Sequence, residues 1–381
     1  MYLPRKLELA SILEHRSCFL FGPRQSGKTQ LARHDFGHAY FVDLLDSDVY
    51  RTISFRPSYL RQTVPENTAV VVIDEIQKIP ELLDEVHLMI ERSGLRFLLT
   101  GSSARKLRRG GINLLGGRAR SRYLHPFSWS ELGRQFELTK VLNVGLLPPM
   151  YQSEAPEDDL KAYVGDYLRE EIAAEAVVRN IPAFSRFLHV AAQCNAKQIN
   201  LSRISNDAQV ARTTLYEYFR ILEDTLIGSF LPAWAESEKR KPIKGPKFYF
   251  FDTGVVRTLQ KRGRIELGTP EAGELFETFL CHELRSYLHY EQPVDGSLHY
   301  WRSTSGFEVD FILDNEVAIE TKLSATIGPR DLKGLNALRE EQKLRRYLLV
   351  CLEPVPRTVD GLEVLPYQVF LEQLWTGRLS S

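Results

Sequence analysis

Gly22, Pro23, Arg24, Gln25, Ser26, Gly27, Lys28 and Thr29 follow directly on the apolar run Cys18-Phe19-Leu20-Phe21. A buried strand that breaks into this octapeptide and then into a helix reads as a phosphate-binding loop. Its glycines let the backbone curl until amide N–H groups point inward at β- and γ-phosphates. Lys28 adds a mobile cation, and the Thr29 hydroxyl offers Mg²⁺ a hard oxygen ligand. The helix that follows turns its positive end toward the same phosphates. The local architecture this implies is strand, loop, helix.

A second segment completes the chemistry. Residues 69–73 are Ala-Val-Val-Val-Ile, the β-branched run that a strand covered on both faces needs, and they end in Asp74 and Glu75. Asp74 is the expected partner of Thr29 on Mg²⁺, and Glu75 the residue that polarises the attacking water. Strands are predicted over 17–22, 39–44, 69–75, 96–102 and 120–127, with helical patterns between most of them. That alternation predicts a parallel sheet within residues 1–135, its ligand beyond the carboxyl ends of the strands.

The fourth strand ends in Thr100-Gly101-Ser102-Ser103. In P-loop ATPases with an additional strand, this strand lies between those carrying the loop and the acids. Ser102, with Ser103 as second choice, is then the expected sensor of the γ-phosphate; an ordinary helix cap is the competing reading. Residues 104–122 hold seven basic side chains and no acid. Arg118, just before the fifth strand, is the expected arginine finger for a neighbouring subunit, with Arg120 behind it. Arg105, Lys106, Arg108 and Arg109 suit a nucleic-acid channel or a solvated loop.

Composition excludes several classes. The chain has 381 residues, 43% hydrophobic and 26% charged, enough for two or three folded domains. Its 49 basic and 49 acidic residues cancel, so a nucleic-acid surface must come from local clustering. Cys18, Cys194, Cys281 and Cys351 are far apart, which argues against a zinc site or a disulfide framework. No apolar run approaches the length of a membrane span, and the first residues lack a signal-peptide core. A cytoplasmic protein without a membrane partner is expected.

The middle of the chain reads as a helical lid over 136–195, where Arg169 and Arg186 are candidates to touch nucleotide, then a helix-turn-helix texture over 196–255. Leu215, Phe219 and Leu222 recur at helical spacing, with Thr213 and Thr214 as caps. This leaves Arg212, Thr213, Tyr216 and Arg220 exposed for groove contacts. Lys239, Arg240, Lys241, Lys244 and Lys247 then form a basic wing suited to phosphates. A packing module with a charged loop is the alternative.

Residues 256–381 contain two strands with apolar odd positions, 307–313 and 317–323. Pairing odd with odd across the loop Asp314-Asn315-Glu316 puts Phe311 opposite Ile319 and Asp310 opposite Glu320 on a polar face. Such a loop prefers a left-handed residue late in it, for which Glu316 is poorly suited. Asp310, Glu320 and Lys322 form an Asp…Glu-x-Lys set able to hold Mg²⁺ and orient water. Glu277, at the edge of the helical stripe Phe276, Leu280, Leu284 and Leu288, is a further acid for that site.

Residues 22–29, the strand ending Asp74-Glu75-Ile76-Gln77-Lys78, the 100–103 turn, Leu115-Gly116-Gly117-Arg118 and 125–132 resemble the bacterial and archaeal AAA+-like ATPases that end in DUF4143. The resemblance spans nearly the whole chain. It implies an ATPase core, a helical lid, a winged-helix segment and a restriction-endonuclease-like terminal domain. Glu277, Asp310, Glu320 and Lys322 are similar in pattern to the PD-(D/E)xK nuclease motif. The expectation is an α/β protein that hydrolyses ATP with Mg²⁺ and acts on DNA by remodelling or translocation, branched DNA included. Assembly into a ring-like homo-oligomer, a hexamer, lets Arg118 complete a neighbour's site. Two other classes stay open: a nucleotide-controlled signalling ATPase with protein partners, and an ATP-gated DNA nuclease of a defence system.

Overall fold

The computed structural model describes residues 2–103, 107, 115–167, 180–292, 294 and 296–379. Two compact units emerge: residues 1–127 with 224–226, and residues 128–223 with 227–381. Among the described residues, no helix is long and apolar enough to cross a membrane.

The first unit is built on five strands: β1 (Ser17–Phe21), β2 (Tyr40–Asp43), β3 (Val70–Asp74), β4 (Arg96–Gly101) and β5 (Ala119–Tyr123). Their order is β2-β3-β4-β1-β5 and every pairing is parallel. Parallel strands are covered on both faces, which is why Phe19, Phe21, Val71, Ile73, Phe97 and Leu99 are buried in one cluster with little polar interruption. β4 lies between β3 and β1, as the additional-strand reading requires. The carboxyl ends of β1, β3 and β4 therefore stand side by side. Helix α1 (Lys28–Asp35) leaves β1 through the glycine-rich loop, and α2 (Leu82–Ser93) follows β3.

The second unit holds two sheets. Helices α3 (Ile181–Gln193), α4 (Leu201–Ala208) and α5 (Arg212–Asp224) accompany a small antiparallel sheet. That sheet has the order β6-β8-β7, from β6 (Lys197–Gln198), β7 (Gly228–Leu231) and β8 (Lys247–Phe250). The elements succeed one another as helix, strand, helix, helix, strand, strand. α5 begins at Arg212, one residue ahead of the expected Thr213 cap.

Six further strands form the second sheet: β9 (Leu298–Arg302), β10 (Glu308–Leu313), β11 (Val317–Thr321), β12 (Arg346–Cys351), β13 (Arg357–Val359) and β14 (Leu362–Pro366). Their order is β13-β14-β12-β11-β10-β9. Helices α6 (Pro270–Glu291), α7 (Lys333–Arg339) and α8 (Tyr367–Trp375) pack on it. The β10–β11 register matches the odd-with-odd expectation, with Phe311 opposite Ile319 and Leu313 opposite Val317. The left-handed residues are Asp314 (φ 54°) and Asn315 (φ 55°), not Glu316. Asp and Asn tolerate that region, and the Glu316 N–H closes the turn on the Leu313 carbonyl at 2.9 Å.

One expectation fails here. The even positions of β10 and β11 do not form a solvated polar face. The even-numbered Ile312 and Ala318 are buried with Leu335 and Leu338 of α7, where a register shift in β10 also brings Val309, and on the odd-numbered side Tyr249 of β8 packs on Phe311 with ring centroids 6.0 Å apart. Both sides of the hairpin are covered, so Asp310 and Glu320 are buried too, each 7% exposed.

Glu283 of α6 gives this unit a pH-sensitive joint. Its Oε1 accepts from the Trp129 N–H at 2.8 Å and its Oε2 from the Trp375 Nε1–H at 2.7 Å. Burial pushes its carboxyl up to about 8 from the ordinary 4.5. Between those values the folded chain holds a proton that the unfolded chain has released, so stability from this group falls as pH rises. Glu283→Gln does not ionise. Its stability relative to the natural protein is expected to rise by about 2–3 kcal/mol between about pH 5 and about pH 7, read by urea unfolding. A difference that stays constant with pH would refute the assignment.

Candidate functional site

The carboxyl ends of β1, β3 and β4 converge on one polar network. Gly27, with φ 98°, turns the chain into α1, and Gln25 is also left-handed at φ 63°. Gly22 has no room for a side chain, because a Cβ there would lie 2.4 Å from the Leu124 carbonyl oxygen. Lys28 is nearly buried, its Nζ donating to the Gly22 carbonyl at 2.8 Å and the Pro23 carbonyl at 3.1 Å. Those bonds hold the ammonium inside the curl of the loop.

The Thr29 Oγ1–H donates to Asp74 Oδ2 at 2.7 Å. On the other side, Thr100 Oγ1–H donates to Asp74 Oδ1 and accepts from the Glu75 N–H at 3.2 Å. Asp74 is therefore aimed by α1 and β4 at once. Glu75 adopts the left-handed conformation (φ 62°), unusual for a residue with a side chain. Gln77 then bridges two elements: its Nε2 donates to Glu75 Oε2 and, at 3.1 Å, to Ser102 Oγ. A Cβ on Gly101 would lie 2.6 Å from Gln77 Oε1, so the glycine of the 100–103 turn makes the room that Gln77 fills.

Thr29, Asp74, Glu75 and Ser102, each expected from sequence, are thus brought to one place, although no sequence signal marked Gln77 or Thr100. Arg5 was also missed. It donates to the Ser26 carbonyl at 2.6 Å and the His125 carbonyl at 2.6 Å, and so ties the loop to the exit of β5. A nucleotide and Mg²⁺ suit these donors. Thr29 Oγ1 and Asp74 form a hard-oxygen pair, and the buried Ser26 Oγ has no hydrogen-bond partner among the described residues. Arg118 donates its Nε–H to Glu91 of α2 in its own chain and is about one-third exposed. Arg105, Lys106, Arg108, Arg109 and Arg169 lie outside the described residues. Arg186 donates to the Ala208 carbonyl.

On α5, Leu215, Tyr218, Phe219, Ile221 and Leu222 are buried, whereas Arg212, Thr213, Tyr216 and Arg220 are exposed. The basic stretch 239–247 departs from expectation. It does not project as a free wing but lies against the C-terminal sheet. Glu341 accepts from Ser237 Oγ and from the N–H groups of Glu238, Lys239 and Arg240, and Ile243 N–H donates to the Arg302 carbonyl of β9. β9 is an edge strand, and this segment covers its unpaired backbone groups. Arg240 pairs with Glu340 at 2.6 Å, and Lys239 Nζ donates to the Glu340 carbonyl. Lys241 and Lys244 are exposed.

Lys247 is the sharpest correction. Only 3% exposed, it cannot meet a phosphate backbone. Its Nζ lies 2.9 Å from Glu277 Oε1, 2.7 Å from Glu308 Oε1 and 3.5 Å from Asp310 Oδ1. Tyr249 OH donates to Glu277 Oε1 at 2.6 Å, Thr321 N–H and Oγ1–H donate to Asp310 Oδ2, and Lys322 Nζ lies 2.6 Å from Glu320 Oε1. Burial, reinforced by the Asp310 charge, pushes Glu277 up to about 7 and Glu320 well above its ordinary range. Burial alone opposes the Lys247 charge, but Glu277, Tyr249, Asp310 and Glu308 outweigh it and hold the ammonium protonated. Glu277, Asp310, Glu320 and Lys322 are indeed neighbours, but the cluster has an ammonium at its centre. Among the described residues, no group of three or more His, Cys, Asp or Glu side chains is arranged to hold a metal ion. The expected Mg²⁺ site on these acids does not fit this arrangement.

The strand order, the glycine-rich loop on β1 and the acids on β3 define an α/β P-loop fold of the AAA+ type. Residues 14–133 match the family model of the AAA domain, and residues 272–370 match a domain of unknown function, DUF4143. The chain is an AAA-like protein with DUF4143 at its C-terminal end. Residues 135–266 between them match another domain of unknown function, DUF8612. Relatives include the uncharacterized proteins Rv2008c of Mycobacterium tuberculosis and Mb2031c of Mycobacterium bovis. Both are 26% identical over 304 residues, covering 77% of this chain and 67% of theirs. Two solved structures overlap more loosely. One is the Aeropyrum pernix ORC1 protein in complex with DNA, at 14% identity and TM-score 0.24, over 68% of this chain and 92% of that one. The other is the replication initiator DnaA bound to AMPPCP and single-stranded DNA, at 13% and 0.25, over 56% and 85%. Overlaps that loose carry no functional argument.

Proposed function

We propose that the chain hydrolyses ATP and couples the hydrolysis to work on DNA. The observation that carries the first half is the buried network joining Thr29, Asp74, Thr100, Glu75, Gln77 and Ser102 at the ends of three adjacent strands. Thr29 and Asp74 would hold Mg²⁺, which supplies charge neutralisation between the phosphates when bound. Lys28 and the loop N–H groups grip the phosphates. Glu75 takes the proton of the attacking water, and Ser102, tied to Glu75 through Gln77, registers whether a γ-phosphate is in place. Arg118 would exchange Glu91 for the nucleotide of a neighbouring copy in a ring-like homo-oligomer.

The exposed face of α5, with Arg212, Thr213, Tyr216 and Arg220, supports contact with DNA, and the exposed Lys241 and Lys244 add phosphate contacts. Remodelling or translocation of DNA, branched forms included, is the work we assign to the coupled domains. ATP turnover measured against single-stranded, duplex and branched DNA tests the coupling, and stimulation by at least one form is expected. The double change Arg212→Glu with Arg220→Glu is expected to weaken DNA binding by about ten-fold or more in fluorescence anisotropy. Turnover that is flat across every DNA form would overturn the DNA half of the proposal. It would favour a nucleotide-controlled assembly switch.

A further inference from the structure

The acids of the C-terminal sheet carry an inference independent of the nucleotide site. Three carboxylates, from α6 and β10, converge on one ammonium that comes from a different element. β8 is fixed in the small sheet by Lys247 pairing with Gln198 of β6 and Leu231 of β7, so its side chain is delivered by a rigid strand. From there Lys247 Nζ reaches Glu277, Glu308 and Asp310 at 2.9, 2.7 and 3.5 Å.

A divalent cation bridging β10, β11 and α6 would need Glu277 Oε1 and Asp310 Oδ1, the oxygens now facing the ammonium. The two cations cannot share them, because like charges at such distances repel strongly in a buried setting. One oxygen of the cluster is left over: Glu320 Oε2 is buried and has no hydrogen-bond partner among the described residues, although Lys322 holds Oε1. That oxygen is left open to a cation once the ammonium is gone. Beside α6, a cleft of about 480 Å³ is lined by Lys197, Arg262, Glu271 and Glu274 and by Glu277 of the cluster.

We infer that Lys247 occupies the place of a divalent cation in this cluster. The C-terminal domain therefore works without metal-dependent cleavage of phosphodiesters, and removing the ammonium creates a metal site. A tethered ammonium in contact with three carboxylates is present at an effective concentration that free Mg²⁺ does not match. It also stays charged, since its neighbours hold its proton. The same contact fastens the small sheet to the C-terminal sheet, which suits a domain that grips or transmits force.

The test uses the full chain without nucleotide and Mn²⁺ alone as the probe, with bound and free ion separated by electron paramagnetic resonance. Lys247→Ala is expected to bind one more Mn²⁺ per chain than the natural protein, and adding Glu320→Gln to it removes that ion. A folded Lys247→Ala protein that gains no Mn²⁺ would overturn the inference. Should that variant not fold, comparison of the natural protein with two single changes that keep Lys247 decides. Equal Mn²⁺ binding by the natural chain and by Glu320→Gln is expected, together with equal plasmid nicking by the natural chain and by Asp310→Asn. Extra Mn²⁺ lost in Glu320→Gln, or nicking lost in Asp310→Asn, would refute it.

Discussion

Glu75→Gln is expected to lower ATP turnover by about 10²–10⁴-fold while nucleotide binding persists. The phosphate grip belongs to the loop and Lys28, and Asp74 is aimed by Thr29 and Thr100, so neither depends on the Glu75 carboxylate. What the amide cannot do is accept a proton from water. The geometry around Glu75 argues that this proton acceptor is held, not merely present. Its backbone is left-handed, its N–H is fixed by Thr100, and its Oε2 accepts from Gln77. A conformation of that kind persists where neighbouring contacts over-determine it, and such residues concentrate at functional sites. Gln77 is accordingly a positioning residue. Gln77→Leu is expected to reduce kcat with KM for ATP unchanged, since it breaks the Glu75–Ser102 bridge without touching the loop. Phosphate release, paired with titration of a fluorescent ATP analogue, separates the outcomes. Normal turnover in Glu75→Gln would remove Glu75 from the chemistry.

The strands and loop of this unit were legible because their signals are local. A β-branched run such as residues 69–73 declares a doubly covered strand, and the loop declares what must precede and follow it. Gln77 was hidden for a physical reason. The left-handed turn at Glu75 is what sends it to Ser102, and nothing in a run of side chains announces that φ. Arg5 was hidden by distance, since its carbonyl partners lie 21 and 120 positions further along the chain.

In the second unit, parity alone set the β10–β11 register, because a slip of one residue would turn Phe311 and Ile319 to the wrong side. Burial of the opposite side was not legible. It depends on α7, whose apolar residues cannot be assigned to that surface without the tertiary fold. The basic stretch 239–247 misled for a related reason. Charge density reads as a surface for phosphates, yet Arg240 finds Glu340 and Lys247 finds Glu277, Glu308 and Asp310 within the same unit. A cation's partner is set by packing, and composition records only the cation.

That partnership gives the largest stability effect expected in this chain. Lys247→Met keeps the aliphatic bulk and deletes the charge, leaving Glu277, Glu308 and Asp310 facing one another with no ammonium between them. Removing one side of a buried ion cluster costs about 3–5 kcal/mol, because the desolvation already suffered by the remaining charges is no longer offset. The pH dependence follows from the direction of the carboxylate shifts. Glu277 already lies near 7 with Lys247 present. Without it, the folded-state value moves higher, above that of the unfolded chain. Stability is then retained where the carboxyl stays protonated and lost as pH rises through the folded value. The deficit of Lys247→Met is therefore expected to be small near pH 5 and full near pH 8, as measured by urea unfolding at each pH. Glu277→Gln added to Lys247→Met is expected to recover part of the loss, since two residues in contact do not contribute additively. A deficit within about 0.5 kcal/mol at both pH values would place Lys247 among ordinary surface residues. Its contacts with three carboxylates would then count for nothing in holding β8 to the C-terminal sheet.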